Sequence, residues 1–288
     1  MSGPKLSISE VTTWTASFEE DLEAYRAAGA QGIGLWEFKL PRGQDELALD
    51  QLRSSGLAAT VCCPEVPSIV PDPFFTHPVD PGERRDALVA AIRRLARFEP
   101  ACVLVLTGDP AGHDPTTMRR LVVEGLRVAA EEAGALGLTL GLEPLRQTSG
   151  SLVTSLTDTA ELIDEIGAPN VRIIVDVWHA WDVPGILDQL ATHAGAIVAV
   201  QLNDWREPTR SWCDRLLPGD GTIDLPPMLG ALEGAGFDGW YDVEVFSDNG
   251  LFGNDYPDSV WKLDHREAAR RAVTQFQRLW EARPVRAG

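Results

Sequence analysis

Residues 138–145 read LTLGLEPL, residues 171–178 read VRIIVDVW, residues 197–204 read IVAVQLND and residues 239–246 read GWYDVEVF. Each is a short apolar run rich in β-branched residues, the composition of a buried parallel strand. Each also carries one polar oxygen-bearing side chain inside or just after the run: Glu143, Asp176, Gln201 and Glu244. A buried parallel strand has no ordinary use for such a group, so the repetition is the informative feature.

The same unit repeats outward to both ends. Runs at Lys5–Thr12, Gly32–Phe38, Ala58–Glu65 and Ala101–Thr107 precede the four quoted above. Amphipathic stretches alternate with all eight: about Phe18–Gly29, up to Ser55, Glu83–Phe98, Pro115–Leu136, Leu156–Ile166, Pro184–His193, Leu225–Ala235 and Pro257–Trp280. Ser17 with Glu20 three residues on forms a capping box for the first helix. Thr157 or Asp158 is expected near the cap of the fifth. Eight β–α units in strict order predict parallel strands with right-handed crossovers. No GxGxxG follows the first strand, which disfavours a doubly wound dinucleotide fold. The expectation is α/β, a single (β/α)8 barrel spanning residues 1–288 as one domain, with a frayed tail near 280–288. The Pro-rich stretch 66–82 (VPSIVPDPFFTHPVDPG) is too irregular for an element and is read as an active-site loop or lid.

Composition narrows the partners. The 288 residues carry a formal charge of −18 with no Lys/Arg-rich run. Nucleic acid and anionic membranes demand basic contacts, so neither is an expected partner. No stretch approaches about 18 apolar residues, and the N-terminus lacks a signal-peptide pattern. Cys62, Cys63, Cys102 and Cys213 fit no zinc spacing and read as free thiols, consistent with a cytoplasmic location. A small-molecule ligand and a homo-oligomer are the expected associations.

In a barrel, functional groups sit at the C-terminal ends of strands. Glu143, Asp176, Gln201 and Glu244 all fall there. Carboxylates converging on one barrel mouth repel each other and are costly to ionise in an apolar setting; one divalent cation resolves both problems. An oxygen-only set favours Mg2+ or Mn2+, with Co2+ or Zn2+ as further choices. Each residue has a plainer reading: a strand-end ion pair for Glu143, a helix cap or a partner of His179 for Asp176, a barrel Arg for Glu244, and a strand-bridging amide for Gln201. His179, three residues after Asp176, is a candidate substrate hydrogen-bond donor, and Arg215 a candidate ligand for substrate oxygen. His77, His113, His193 and His265 read as surface residues. Trp36, Trp178, Trp181, Trp205 and Trp212 fall at or beyond strand ends, where sugar rings often stack, and core packing explains most of them equally well. Glu37 and Lys39 read as solvated loop charges.

At these residues the chain resembles the xylose isomerase-like sugar phosphate isomerase/epimerase superfamily. The resemblance covers nearly the whole chain and is strongest over 138–246. GLEP (Glu143), VDVWH (Asp176, His179), QLND (Gln201, Asp204) and DVEVF (Glu244) follow the family's ligand pattern on strands five to eight. RLLPGDGTID, beginning at Arg215, resembles its R-x-x-P-G-x-G-x-I-D signature. FKLP (38–41) and PGDGTID are similar to the inosose isomerase branch. Two departures stand out. Gln201 replaces the commoner His, as in hydroxypyruvate isomerases and some 3-dehydroshikimate dehydratases. PLRQTSG (144–150) lacks the extra acid of ketose 3-epimerases.

The resemblance implies a metal-dependent isomerase or epimerase of a sugar or cyclic polyol ketone. Glu143 and Glu244 would move a proton through a metal-stabilised enediolate, and His179 and Arg215 would bind substrate. Alternatives are a dehydratase of an inosose or a 3-dehydroshikimate-like substrate, a metal-dependent endonuclease and a non-catalytic barrel.

Overall fold

The computed structural model describes residues 3–110, 112 and 114–284. His113 and the tail from 285 onward lie outside the described residues. Eight parallel strands close into a barrel: β1 Lys5–Ser9, β2 Gly32–Trp36, β3 Ala58–Cys63, β4 Cys102–Val105, β5 Leu140–Leu142, β6 Val171–Asp176, β7 Ile197–Leu202 and β8 Trp240–Val243. Each pairs with its sequence neighbours, and β8 closes on β1 with Lys5 opposite Trp240 and Ile8 opposite Val243. This is the (β/α)8 barrel that the eightfold alternation predicts.

Side-chain alternation decides which groups enter the barrel. In β4, Val103 and Val105 join the layer between strands and helices, whereas Cys102 and Leu104 join a separate inner cluster. The same parity sends Leu140 and Leu142, Ile173 and Val175, and Tyr241 and Val243 outward. Their alternates point inward: Gly141 and Glu143, Ile174 and Asp176, Asp242 and Glu244. Ala199 lies in the inner cluster, so Gln201, two residues on, faces inward too. Gly141 makes room for Ile174: a Cβ there would lie 2.4 Å from Ile174 Cδ1, so that side chain would have to shift.

Strands are shorter than the apolar runs. β5 stops at Leu142 because Pro144 has no N–H to continue a ladder. β1 gives way to a 3-10 turn at Glu10–Thr13.

The helices are α1 Phe18–Ala28, α2 Asp45–Ser55, α3 Pro81–Leu95, α4 Pro115–Ala135, α5 Leu156–Ile166, the short α6 Val177–Ala180, α7 Ile186–His193, α8 Leu225–Gly234 and α9 His265–Ala282. Both halves of the Ser17/Glu20 capping box are present. The cap of α5 is Ser155, not Thr157 or Asp158; its side chain accepts from the Asp158 N–H at 3.1 Å. The last helix begins at His265, not near Pro257. Ser259 caps a separate 3-10 turn at Val260–Lys262, and Asp264 then caps α9, accepting from the Arg266 and Glu267 amides.

Candidate active site

Glu143, His179, Arg215 and Glu244 line one cavity of about 170 Å³ at the C-terminal mouth of the barrel, and Asp176, outside the lining itself, bonds to Arg215. All five are buried, and so is Gln201 just beneath.

Asp176 is the hub. Its Oδ1 accepts from the Trp178 amide at 2.9 Å, capping α6, and from Asn203 Nδ2 at 2.8 Å. Its Oδ2 accepts from Arg215 Nη1 at 2.6 Å. Burial alone would raise the Asp176 carboxyl, but Arg215 foremost, helped by these donors, holds it below the usual range. The helix-cap reading of Asp176 is therefore correct for Oδ1, and the second oxygen is paired with Arg215.

Glu143 and Glu244 behave oppositely. Burial pushes both well above the ordinary carboxyl range, and the Asp176 charge adds to it; Arg215 opposes only in part. Glu244 Oε1 accepts from Gln201 Nε2 at 2.7 Å, and its Oε2 lies 3.8 Å from Arg215 Nη1. The Gln201 amide does bridge strands, yet its Oε1 is buried with no partner among the described residues. An orphaned carbonyl oxygen beside three buried carboxylates is a donor set that suits a hard divalent cation.

Ligand atoms of Glu143, Asp176 and His179 lie within 4.8 Å of one another. His179 nevertheless does not suit the role of a ligand. Its Nδ1 accepts from the Arg146 backbone N–H at 3.0 Å. A neutral ring then carries its proton on Nε2, which leaves no lone pair there for a metal. Burial lowers the His179 pKa to about 3, with Arg215 and Arg146 pushing the same way and Asp176 opposing, so the ring is neutral near pH 7. Nε2 stands 3.7 Å from Asp176 Oδ2 and 3.5 Å from Arg215 Nη2, in the wall of the cavity.

Arg215 arrives from outside the barrel ladder. Asp204–Trp205 and Arg215–Leu216 form a two-stranded antiparallel pair with Trp205 opposite Arg215. Asp204 ties down the following turn, accepting from the amides of Gly219 and Ile223 at 2.8 and 2.9 Å. Gly221 packs so close that a Cβ would sit 2.4 Å from Asp204 Oδ1. The guanidinium lies between two rings, 4.9 Å from Trp178 and 4.7 Å from Phe246.

The Pro-rich segment does border the cavity, through Asp72, Pro73, Phe74 and Phe75. It is pinned in place. Buried Arg84 donates to Ser68 O at 2.8 Å and Pro78 O at 2.9 Å, and Asp72 accepts from the Phe74 and Phe75 amides. Of the five tryptophans near strand ends, Trp36, Trp178 and Trp212 line the cavity, whereas Trp181 and Trp205 pack against the outer core. The four cysteines are buried and unpaired. His77 is exposed, while His193 and His265 are half-buried.

One reading is overturned. Lys39 and Glu37 are not solvated. Lys39 Nζ is buried, pairs with Asp21, and donates to the carbonyls of Glu10 and Thr13 at 3.1 and 3.2 Å. Glu37 accepts from the Glu65 amide and from Arg94. The 3-10 turn Glu37–Lys39 folds the chain back over the end of β1 and covers both residues.

Three contributors escaped the sequence reading. Asn203 links Asp176 to the Glu244 carbonyl oxygen, 3.1 Å away. Its spacing of two from Gln201 was the available signal. Asp242, two before Glu244, carries the same signal; burial raises its pKa to about 7 and Ser7 Oγ donates to it at 2.6 Å. Arg146 sets the His179 tautomer through a backbone amide, which no side-chain pattern reports.

The family model for xylose isomerase-like TIM barrels matches residues 22–278. A 3-dehydroshikimate dehydratase of Pseudomonas putida is 27% identical over 256 residues, 81% of this chain and 37% of that protein. A hydroxypyruvate isomerase of Escherichia coli is 29% identical over 166 residues, 56% of this chain and 62% of that protein. The chain thus spans less than two thirds of the length of either relative. A crystallised protein of Sinorhizobium meliloti superposes with a TM-score of 0.82 at 27% identity, covering 96% of this chain and 98% of that one. No described helix is long and apolar enough to cross a membrane. By the span of the family match, and by a closed barrel whose mouth gathers the residues above, the chain belongs to the xylose isomerase-like TIM barrel family.

Proposed function

We propose that this protein is a divalent-cation-dependent isomerase or epimerase of a sugar or cyclic polyol ketone, moving a proton on carbon next to a carbonyl. One observation carries the reading. Two buried carboxyl groups with raised proton affinity, Glu143 and Glu244, line one cavity with Arg215, which pairs with Asp176 and holds that carboxyl below its usual range. Acid–base partners of a carbon acid need that combination.

Glu143, Asp176 and Glu244, with the Gln201 carbonyl oxygen, would hold the ion, Mg2+ or Mn2+ by their oxygen chemistry, and its contribution when bound is to polarise the substrate carbonyl. One of Glu143 and Glu244 takes the proton from the carbon, and the other returns it to the carbon or passes it to the adjacent oxygen. His179 Nε2–H donates to a substrate oxygen and orients it. Arg215 keeps Asp176 ionised and presents its remaining N–H groups to the cavity. The aromatic and leucine side chains around the mouth exclude water from the transferred proton.

Incubation of candidate ketones with the Mn2+-loaded protein in D2O tests this by NMR. Deuterium entering the carbon beside the carbonyl, with a new epimer or isomer, is the expected outcome. Stoichiometric cation binding with no exchange in any sugar or cyclitol ketone would remove the proposal.

A dehydratase is the second reading. Similarity to a 3-dehydroshikimate dehydratase over 81% of this chain favours it, as does the amide at Gln201. The same abstraction would be followed by loss of a β-hydroxyl as water. The D2O experiment separates the two, because water loss produces a new alkene or dione signal.

A further inference from the structure

We propose that the substrate is an uncharged ketone of about one ring's size, a cyclitol ketone or a ketose, whose C–H face lies on Phe74, Trp212 and Phe246, and that carboxylated or phosphorylated analogues are rejected. This deepens the function proposed above and rests on it for the reacting end of the molecule.

Charge is the first argument. The described residues lining the cavity include three acids, Asp72, Glu143 and Glu244, against one permanent cation, Arg215, which is itself paired with buried Asp176. His179 brings none, because its Nδ1 accepts the Arg146 amide proton and so carries no proton of its own. Arg215 is committed to Asp176 at 2.6 Å and stands 3.8 Å from Glu244. A divalent cation together with Arg215 offsets the three inner carboxylates Glu143, Asp176 and Glu244. A neutral substrate leaves that balance intact. A carboxylate or phosphate would add buried negative charge with no free cation to meet it.

The outer wall is the second argument. Phe74 comes from the loop after β3, Trp212 from the loop after β7 and Phe246 from the end of β8. Their rings touch: Phe74 and Trp212 are 5.3 Å apart, Phe74 and Phe246 6.1 Å, and Trp212 and Phe246 5.6 Å. Three loops thus build one aromatic corner over the carboxylates. The face of a sugar ring is a patch of C–H groups, which such a corner covers well. Thr148 and Ser149 on the cavity wall offer hydroxyls to the ring's edge. The volume of about 170 Å³ lies below the roughly 300–1,000 Å³ of drug-sized sites and suits one ring rather than an extended chain.

The test pairs each neutral ring with an anionic relative. Binding of 2-inosose against 3-dehydroshikimate, and of fructose against fructose 6-phosphate, is measured on the Mn2+-loaded protein by calorimetry and tryptophan fluorescence. The neutral member of each pair is expected to bind at least about tenfold tighter. Phe74→Ala and Trp212→Ala should each weaken the neutral ligand about tenfold or more, with Mn2+ affinity by electron paramagnetic resonance unchanged. Both side chains are partly exposed, so folding should survive; Phe74→Leu and Trp212→Phe, with circular dichroism melts, guard against collapse of the loops. Equal or tighter binding of the anions, no binding of either neutral ring, or indifference to both aromatic substitutions overturns the inference. The readout is separable from the reaction. Neutral rings that bind without solvent exchange sink the proposed chemistry and leave this inference standing. Exchange confined to anionic ketones does the reverse.

Discussion

Arg215 and Asp176 form a buried ion pair, Nη1 to Oδ2 at 2.6 Å, although 39 residues separate them in the chain. The pair joins the end of β6 to the antiparallel turn after β7. It also keeps one of the three inner carboxylates ionised while its neighbours are pushed toward their neutral forms.

Breaking that pair from one side should therefore be costly. Asp176→Asn leaves the guanidinium buried without its counter-charge, and about 3–5 kcal/mol of stability should be lost in urea unfolding. Adding Arg215→Met to the same protein should recover much of the loss, because no unpaired charge remains. A double variant no more stable than Asp176→Asn would show that the pair is not the source.

Glu143→Gln and Glu244→Gln should each lower kcat by about 10²–10⁴. Neither should destabilise the metal-free protein at neutral pH. Burial holds both carboxyls well above their ordinary range, so the neutral amide replaces a group that is costly to ionise. Full turnover in either variant would exclude that residue from the proton transfer.

Asn203→Ala should weaken Mn2+ binding about 10–100-fold without removing a ligand, the usual effect of losing a residue that orients one. Asn203 Nδ2 holds Asp176 Oδ1 at 2.8 Å and the Glu244 carbonyl oxygen at 3.1 Å. Isothermal titration with Mn2+ reads this directly, and unchanged affinity would reduce Asn203 to packing.

Away from the cavity, Glu10 makes stability depend on pH. Burial raises its pKa to about 8 from 4.5, against the pull of nearby Lys39, and its Oε1 has no partner among the described residues. A raised folded-state pKa means that the folded protein holds a proton the unfolded chain releases. The resulting stabilisation is complete below about pH 4.5 and disappears as pH rises through about 8. Glu10→Gln should match the parent at pH 5 and melt at a higher temperature than the parent at pH 8.5. Parallel melting curves across that range would show that Glu10 does not hold the proton.

Much of the site could be read along the chain. Strand parity requires only period two, so Glu143, Asp176 and Glu244 could be placed at the barrel mouth from their positions in apolar runs. Asn203 and Asp242 obey the same parity, but residue type alone does not distinguish a supporting polar group from a ligand two positions away. Lys39 and Glu37 are hidden from the sequence for another reason. A charge beyond a strand is usually solvated, and its burial depends on where a 3-10 turn folds it against a different β–α unit.

The sequence by itself determined the eightfold alternation, the inward face of each strand and the identity of the carboxyl groups at the strand ends. These are local matters of hydrophobic period and residue type. Only the tertiary structure decided what surrounds those groups: that Arg215 meets Asp176, that the Arg146 amide leaves His179 a donor, and that Phe74, Trp212 and Phe246 share one corner. Each of these contacts joins segments separated by more than 30 residues, and barrel closure alone brings them within a few ångströms.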